Sequence, residues 1–345
     1  SDRERGGTRK EVFHCHPIMS ECEVECEVME KKEEEMEGPL CETVVQEQEY
    51  IEVNPDALEV DLMRTRMMKI EGLEFLSRVE KLCLRWNLLK TIENLESLTT
   101  LTELDLYDNQ IEKVEGLDTL TNLVTLDLSF NRISKIEGLE KLTNLKTLYM
   151  VHNKLEVIEG LETLTELEYL ELGDNRITGI QGLEKNTKLK RLFLGANQIR
   201  IIENLDNLAD LEVLSLPANV ITVMGGFDGL INLKELYVNQ NGIQRIGNLE
   251  ANLNLEILDV NHNRIETVTN ISHLKSLTDF WAKQNRIADW SVLGELSELP
   301  KLRMIYLECN PISSTMATPE YRERVIKALP TIIRLDADFT GHPIY

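Results

Sequence analysis

The sequence lacks long hydrophobic runs and is short of cysteine. No stretch approaches the roughly 18 consecutive apolar residues of a transmembrane helix, and the first residues lack the apolar core of a signal peptide. We therefore expect no membrane span and no secretion through a visible signal. The six cysteines are too few in 345 residues for a disulfide scaffold, which favours a reducing compartment.

Positive charge is also scarce. The chain has 37 Lys and Arg against 60 Asp and Glu, so its formal net charge is −23. A nucleic-acid-binding surface needs clustered basic side chains, and anionic membranes attract basic segments. The composition therefore argues against both kinds of partner.

The acidic surplus is strongest at the start of the chain. Residues 1–53 contain 16 acidic and six basic residues and few apolar side chains. Such a segment buries too little apolar surface to offset the entropy of ordering, so we predict an acidic disordered tail over 1–53. The tail holds potential zinc ligands, but their spacing matches no standard zinc motif, and neither a metal nor another cofactor is predicted. These residues are His14, Cys15, His16, Cys22 and Cys26.

The rest of the sequence is organised by a period of 22 residues. Thr65 stands one period before a series of asparagines, and Asn310 stands 25 residues after its last member, which gives about twelve repeats. An asparagine within the pattern L-x-x-L-x-L-x-x-N-x-L is the signature of leucine-rich repeats. The asparagines of the series are Asn87, Asn109, Asn131, Asn153, Asn175, Asn197, Asn219, Asn241, Asn263 and Asn285.

The repeat around Asn131 shows how one unit should fold. Leu126 and Leu128 alternate with polar residues, which predicts a short strand with its leucines pointing inward. The amide of Asn131 can bond backbone groups left open where the chain turns, so stacked asparagines should form a ladder. Gly138 should relieve crowding at a tight turn, and the return arm is too short for a full helix.

These features predict an α/β leucine-rich-repeat solenoid with a parallel sheet on its concave side. No single repeat can bury its apolar face alone, so stability should come from stacked neighbours and from caps at the ends. We place the solenoid at residues 54–312 and a C-terminal helical cap at 313–345. Within the cap, Thr318 is the expected N-cap of a helix that ends before Pro330.

The strand positions that face solvent on the concave side have an unusual composition. Four such positions in each of twelve repeats hold nine of the 18 aromatic residues, and twelve acids against five bases. Strand propensity can account for part of the aromatic content but not for the acids. Aromatic anchors surrounded by charge of one sign are typical of a protein-binding surface, here for a partner with a basic patch.

The repeats resemble one family closely: the leucine-rich-repeat regulatory subunits of type-1 protein phosphatase (regulatory subunit 7, Sds-type). The likeness rests on the 22-residue repeats, the Gly-Leu or Asn-Leu pair at each turn, and the cap segment 321–330 followed by Leu335 and Asp336. It extends from about residue 54 to 340.

The resemblance implies a nuclear and cytoplasmic protein without catalysis of its own. Such a subunit binds the phosphatase catalytic subunit through its concave face and inhibits, holds or redirects it, and inhibitor-3 can join as a third protein. Two positions depart from the family, with Tyr149 and Asp279 where Phe and Glu are expected. The contact residues that it implies are Asp127, Tyr149, Glu171, Phe193, Asp259, Asp279, Trp281 and Tyr306.

Three other functions were weighed against this one. Short leucine-rich repeats also occur in adaptors of splicing, dynein and tubulin-related complexes, so the fold alone does not select a partner. A bacterial surface adhesin with similar repeats would need secretion and wall-anchoring signals. An enzyme is not expected, because His152 and His262 have no nucleophile motif nearby and the carboxylates line an open sheet.

Overall fold

The computed structural model describes residues 53–341. Within this range, short strands from successive repeats form one continuous sheet along the solenoid. Its 14 strands follow one another in chain order; β1–β13 pair in parallel, and β14 pairs antiparallel with β13. The strands are β1 (Glu59–Asp61), β2 (Lys81–Cys83), β3 (Glu103–Asp105), β4 (Thr125–Asp127), β5 (Thr147–Tyr149), β6 (Tyr169–Glu171), β7 (Arg191–Phe193), β8 (Val213–Ser215), β9 (Glu235–Tyr237), β10 (Ile257–Asp259), β11 (Asp279–Trp281), β12 (Met304–Tyr306), β13 (Arg334–Leu335) and β14 (Asp338–Phe339).

Each repeat strand buries its middle residue, and its two outer residues are exposed or half-buried in every strand but β10 and β11, which each bury one of them. In β4, Leu126 is fully buried between the half-buried Thr125 and Asp127, and Leu128 is buried one step further on. This alternation is what period-two patterning predicts, because successive strand side chains point to opposite faces. The leucine-rich-repeat solenoid with its parallel sheet is confirmed.

The predicted asparagine ladder is present. The Asn131 amide nitrogen Nδ2 donates hydrogen bonds of 3.0–3.1 Å to the carbonyl oxygens of Leu106, Leu128 and Ser129. Its Oδ1 accepts the backbone N–H of Ile111 at 3.0 Å. One side chain therefore satisfies backbone groups of its own repeat and of the repeat before it. Equivalent bonds recur along the solenoid, and we call these residues the ladder asparagines.

The first place of the ladder series is held by Thr65, whose hydroxyl donates to the Leu62 carbonyl at 3.0 Å. In the cap, Asp336 follows β13 at the register position of Tyr306 rather than at a ladder position. Its Oδ1 accepts the backbone N–H groups of Leu307 and Glu308 at 2.8 and 2.9 Å and so ties the cap to the last repeat.

The return arms turn tightly where the sequence has glycine. Gly138 has φ +70°, and a Cβ atom there would lie 2.4 Å from the carbonyl oxygen of Val114, so a side chain would require the local backbone to shift. Asn204 occupies the same place in another repeat with φ +60°, and its Nδ2 donates to the Ile180 carbonyl at 2.7 Å. Either residue thus serves the turn, one by absence of a side chain and one by a hydrogen bond.

Helices appear only toward the C-terminal end of the described residues. They are α1 (Val292–Ser297), α2 (Pro311–Ser314) and α3 (Thr318–Ala328). The lengthened repeat after Asn285 accommodates α1, and the predicted boundary at residue 312 falls inside α2. Helix α3 has Ala317 as its N-cap, so Thr318 is its first residue rather than the cap predicted from the sequence.

Helix α3 closes the core at this end. Tyr321 and Val325 are buried against the last repeats, and Arg322 Nη1 donates to the Leu335 carbonyl at 3.0 Å. The predicted tail and its histidine and cysteine residues lie outside the described residues, apart from Val53. Within residues 53–341 there is no helix with the length and hydropathy that a bilayer crossing requires.

Candidate protein-binding face

The exposed side of the sheet presents aligned rows of side chains, and we call it the open sheet face. It comprises the outer residues of β1–β12 and the two residues before each position of the ladder series. The parallel register places the third residues of these strands in one row, the midline, in which Tyr149 pairs with Asp127 on one side and Glu171 on the other. Seven of the eight predicted contact residues lie on the midline, whereas Asp279 is the first residue of β11.

Four of these residues lie on the neighbouring strands β4–β7, around a tyrosine that the prediction missed. The rings of Tyr149 and Phe193 lie 5.0 and 5.2 Å from that of Tyr169. The Tyr169 hydroxyl donates to Glu171 Oε2 at 2.8 Å. Burial and the adjacent Glu171 raise the pKa of Tyr169 well above its usual value, so this hydroxyl stays protonated. The aromatic cluster and its carboxylate are therefore held in place before any partner arrives.

Asp127 is already paired within the chain. Arg85 Nη2 lies 3.2 Å from Asp127 Oδ2, and Arg85 Nε lies 2.6 Å from Asp105 Oδ2. Burial raises the pKa of Asp105, partly offset by a backbone hydrogen bond from Tyr107 and by the arginine. A shallow cavity of about 300 Å³ opens beside these groups and reaches Tyr149. A basic side chain of a partner would therefore compete with Arg85 for this carboxylate.

The remaining predicted residues gather around Trp281. Its ring lies 6.1 Å from that of Tyr306, edge to face, and 6.3 Å from that of Tyr237. The Tyr237 hydroxyl donates to Glu235 Oε2 at 2.8 Å. Aromatic pairs in this arrangement stabilise each other beyond the area they bury. Tyr237 was not predicted as a contact residue, although it belongs to the same row.

Asp259 and Asp279 are less exposed than the solvent-facing strand positions assigned to them by the repeat pattern. Only 7% of Asp259 and 6% of Asp279 are solvent-accessible. Asp259 lies between Tyr237 and Trp281 in the register, and these two rings converge across its strand. Burial raises the pKa of Asp259 to about 6, against a backbone hydrogen bond from Asn261. Burial likewise raises the pKa of Asp279.

A second aromatic row follows the edge of the open sheet face and was not among the predicted contacts. Trp86, Tyr107, Phe130 and His152 contact one another in sequence, with ring centroids 6.1, 4.8 and 4.7 Å apart; the first pair meets edge to face and the last pair is stacked. The row ends where His152 Nδ1 hydrogen-bonds to Asp174. Each of these residues stands one or two places before a ladder asparagine in consecutive repeats. This recurrence of aromatic residues in the same part of the repeat is the sequence pattern that could have identified the row.

The aromatic rings and acidic groups described above lie on one open surface within residues 53–341. Within residues 53–341 no group of three His, Cys, Asp or Glu side chains is placed to hold a metal ion. Solenoids of this kind are typically scaffolds for protein interaction. The open sheet face, with its packed rings and acidic groups, suits that role.

Comparison with known proteins supports the repeat assignment. A family model described as Leucine Rich repeats (2 copies) matches residues 121–163, 143–185, 165–207 and 231–276, and a second leucine-rich-repeat model matches 97–114. Protein phosphatase 1 regulatory subunit 7 of Xenopus tropicalis is 48% identical over 53 residues. That match spans 15% of this chain and 14% of the length of the frog protein.

Solved structures share the fold over most of the chain. An internalin (inlF) from Listeria monocytogenes is 27% identical with a TM-score of 0.70, covering 81% of this chain and 79% of that one. A chain from the complex of latrophilin 3, Unc5D and FLRT2 is 21% identical with a TM-score of 0.70, covering 83% and 92%, and shows the fold alone. The 22-residue register, the ladder and these similarities together show that the chain has the fold of a leucine-rich-repeat solenoid.

Proposed function

We propose that the chain is a non-catalytic regulatory subunit that binds the catalytic subunit of type-1 serine/threonine protein phosphatase through the open sheet face. The observation that carries the proposal is the 48% identity over 53 residues to a subunit named as a regulator of that phosphatase. The composition of the midline supports it, because packed aromatic rings beside acidic groups favour a partner with apolar and basic side chains.

In this proposal the rings provide the anchors. Tyr149, Phe193, Trp281 and Tyr306 are half-buried by contacts within the sheet, so they lose little side-chain freedom on binding. Bound phosphatase is inhibited, held or redirected because the subunit covers part of its surface. The resemblance alone extends the proposal to inhibitor-3 as a third component and to the nucleus and cytoplasm.

A capture experiment tests the proposal. The full chain is immobilised and incubated with purified type-1 phosphatase catalytic subunit, and the bound fraction is measured. We expect Trp281→Ala combined with Asp127→Ala to abolish capture, since truncating a central aromatic anchor typically weakens binding by ~2 kcal/mol or more. Circular dichroism should show that the double variant keeps its fold.

The matched control changes one apolar and one acidic residue outside the open sheet face. Leu253 and Asp210 are both exposed on return arms, and Leu253→Ala with Asp210→Ala should leave capture unchanged. Failure of the parent chain to bind, or equal binding by both double variants, would refute the proposed surface. Recovery from lysate of splicing, dynein or tubulin complexes without phosphatase would instead favour the adaptor alternative.

A further inference from the structure

A lateral edge of the solenoid carries two exposed rows of side chains that no function above uses. The first residue after the ladder asparagine is basic in three consecutive repeats. The fourth residue after it is Lys135, Val157 and Gly179 in these three repeats, and Ile201 and Val223 in the two repeats that follow. We call this surface the lateral edge and define it by Arg132, Lys154 and Arg176 in one row and Val157, Ile201 and Val223 in the other.

The backbone holds the basic row in register. The backbone N–H groups of Arg132, Lys154 and Arg176 each donate a hydrogen bond of 2.8 Å to the preceding repeat. The acceptor is always the carbonyl oxygen of the residue two places after the ladder asparagine of that preceding repeat. At the fourth position a parallel bridge is formed by one pair of later repeats, between Arg245 and Thr267. The backbone of the three basic positions is therefore in register from repeat to repeat.

The basic row lacks the counter-charges that other columns of this molecule have. Within the described residues none of its three side chains forms an ion pair. By contrast, the column before the strands alternates in sign, and three of its four neighbouring pairs form ion pairs at 2.7–3.3 Å. This column comprises Lys146, Glu168, Lys190, Glu212 and Lys234. Like charges in adjacent repeats repel each other. An external anion beside the basic row would remove this repulsion, which favours binding of an acidic partner there.

The sign of this edge is opposite to that of the chain. Over the repeats of Asn87 to Asn285, the first, third and fourth positions after the asparagine hold ten bases against four acids. The whole chain carries −23, and the solvent-facing strand positions are acidic. Charge is therefore segregated between two surfaces. Such segregation favours partners of opposite charge on each.

The neighbouring apolar row is exposed to an unusual degree. Ile201 is 61% and Val223 69% solvent-accessible, and Val157 is 40% accessible. Exposed aliphatic side chains rimmed by charge mark interaction sites. Within one repeat the two rows are three positions apart along the chain, which limits the distance between their Cα atoms to about 10 Å. That distance is close to the diameter of an α-helix with its side chains.

We propose that the lateral edge binds an acidic amphipathic helix of a partner protein. Its carboxylates would pair with the basic row while its apolar side chains cover Ile201 and Val223. The edge spans five repeats, roughly 19 Å at the spacing of sheet strands, which matches about 13 helical residues. Glu156 lies between the rows and would accept one basic residue of that helix. Because the open sheet face is separate, one chain would hold two partners at once.

The test uses the full chain and a defined probe. A fluorescein-labelled peptide of two heptads, Leu-Glu-Ala-Leu-Glu-Glu-Ala, is titrated with the protein and followed by fluorescence anisotropy. We expect Arg132→Glu, Lys154→Glu and Arg176→Glu together to weaken binding by about tenfold or more, with a smaller salt dependence. Ile201→Ser with Val223→Ser should weaken binding at all salt concentrations.

Matched variants separate the edge from general effects. Lys141→Glu, Lys185→Glu and Lys301→Glu change the net charge equally at exposed sites elsewhere, and Ile231→Ser with Leu253→Ser removes equally exposed aliphatics; neither should change binding. Absence of binding by the parent chain, or equal losses in test and control variants, would overturn the proposal. Equal binding of a peptide with Lys for Glu, or full competition by polyuridylate, would overturn it too.

Discussion

Asp259 shows how far the environment of one residue can depart from its place in the repeat. Its carboxylate lies in the row of exposed midline groups, yet the rings of Tyr237 and Trp281 converge across its strand and leave it 7% accessible. Desolvation raises its pKa from 3.8 to about 6. The folded chain therefore binds this proton more tightly than the unfolded chain, so stability falls as the pH rises from about 4 to about 6, and the loss is complete above about pH 6.

Replacing this carboxylate should stabilise the protein in a pH-dependent way. Asp259→Asn keeps an oxygen that can accept the Asn261 N–H but carries no charge. A difference of about two pKa units corresponds to at most ~3 kcal/mol of unfolding free energy near pH 8. The gain should shrink as the pH falls below about 6 and vanish near pH 4, where the parent carboxyl is protonated in both states.

Urea unfolding at several pH values measures this effect. Asp210→Asn, at an exposed position, should have the same small effect at every pH. A constant difference between parent and Asp259→Asn across the whole range would contradict the assignment of a raised pKa. The same variant also tests whether partner binding uses the ionised form of this group.

At the level of single residues, the sequence predicted roles that the repeat imposes but not those that rotamers decide. The conformation of Gly138 and the bonds of Asn131 recur in every unit, so spacing alone was enough to infer them. The burial of Asp259 depends on two rings meeting across an intervening strand, which no pattern of 22 residues encodes. Likewise, the contact of Tyr169 with Glu171 depends on side-chain direction within one strand.

At the level of elements, two return arms contain a buried polar residue where other repeats have leucine. Asn186 and Asn252 are fully buried, and each donates from Nδ2 to two carbonyl oxygens of the preceding repeat. Their Oδ1 atoms have no hydrogen-bond partner within the described residues. A buried acceptor without a donor destabilises the folded state. These arms are therefore weaker than their neighbours.

Leucine at these positions should strengthen the solenoid. For Asn186→Leu the two carbonyls left behind, those of Leu161 and Leu164, already accept backbone N–H groups at 3.0 and 3.2 Å. No polar group is orphaned, and we expect a gain of about 1 kcal/mol in unfolding free energy. Thermal unfolding measures it. The reciprocal change, Leu164→Asn at the equivalent place, should destabilise, and a loss of stability in Asn186→Leu would contradict this account.

The order and type of the elements could be predicted almost entirely from the sequence. Alternating leucines predicted the strands, and the short distance between them excluded long helices in the return arms. The cap was predicted as a helix but began at Thr318 rather than after it. Helix α1 was not predicted, because an insertion in a repeat shows that extra chain must be placed but not how it will fold.

At the level of the whole molecule, stability is a sum of contacts between neighbours, so a defect should act locally. Tyr321 is 3% accessible in the cap helix α3, and its ring lies 6.3 Å from that of Trp290. Tyr321→Ala should remove about 3 kcal/mol or more of local packing. Amide hydrogen exchange should accelerate most in β12 and β11 and progressively less toward β1.

A second ring in the cap provides the control for this experiment. Phe339 is 63% accessible, and Phe339→Ala should change exchange only near its own strand, β14. Uniform acceleration from β1 to β14 in Tyr321→Ala would show that the solenoid unfolds as one cooperative unit, against the neighbour model. A graded increase in exchange would mean that damage to the cap destabilises the binding surfaces near β12 more than those near β2.

The hydrogen bonds of the ladder also bear on how the gene can change. Each asparagine reaches a carbonyl 25 residues back and accepts an N–H 20 residues back, and these separations are the same from one interior repeat to the next. An in-frame deletion or duplication of one period therefore restores every such bond with new partners of the same kind. Recombination between similar repeats can lengthen or shorten the array without inventing a new junction. A lineage can thus adjust the reach of its binding surfaces in steps of one strand, while the units on either side stay as they were.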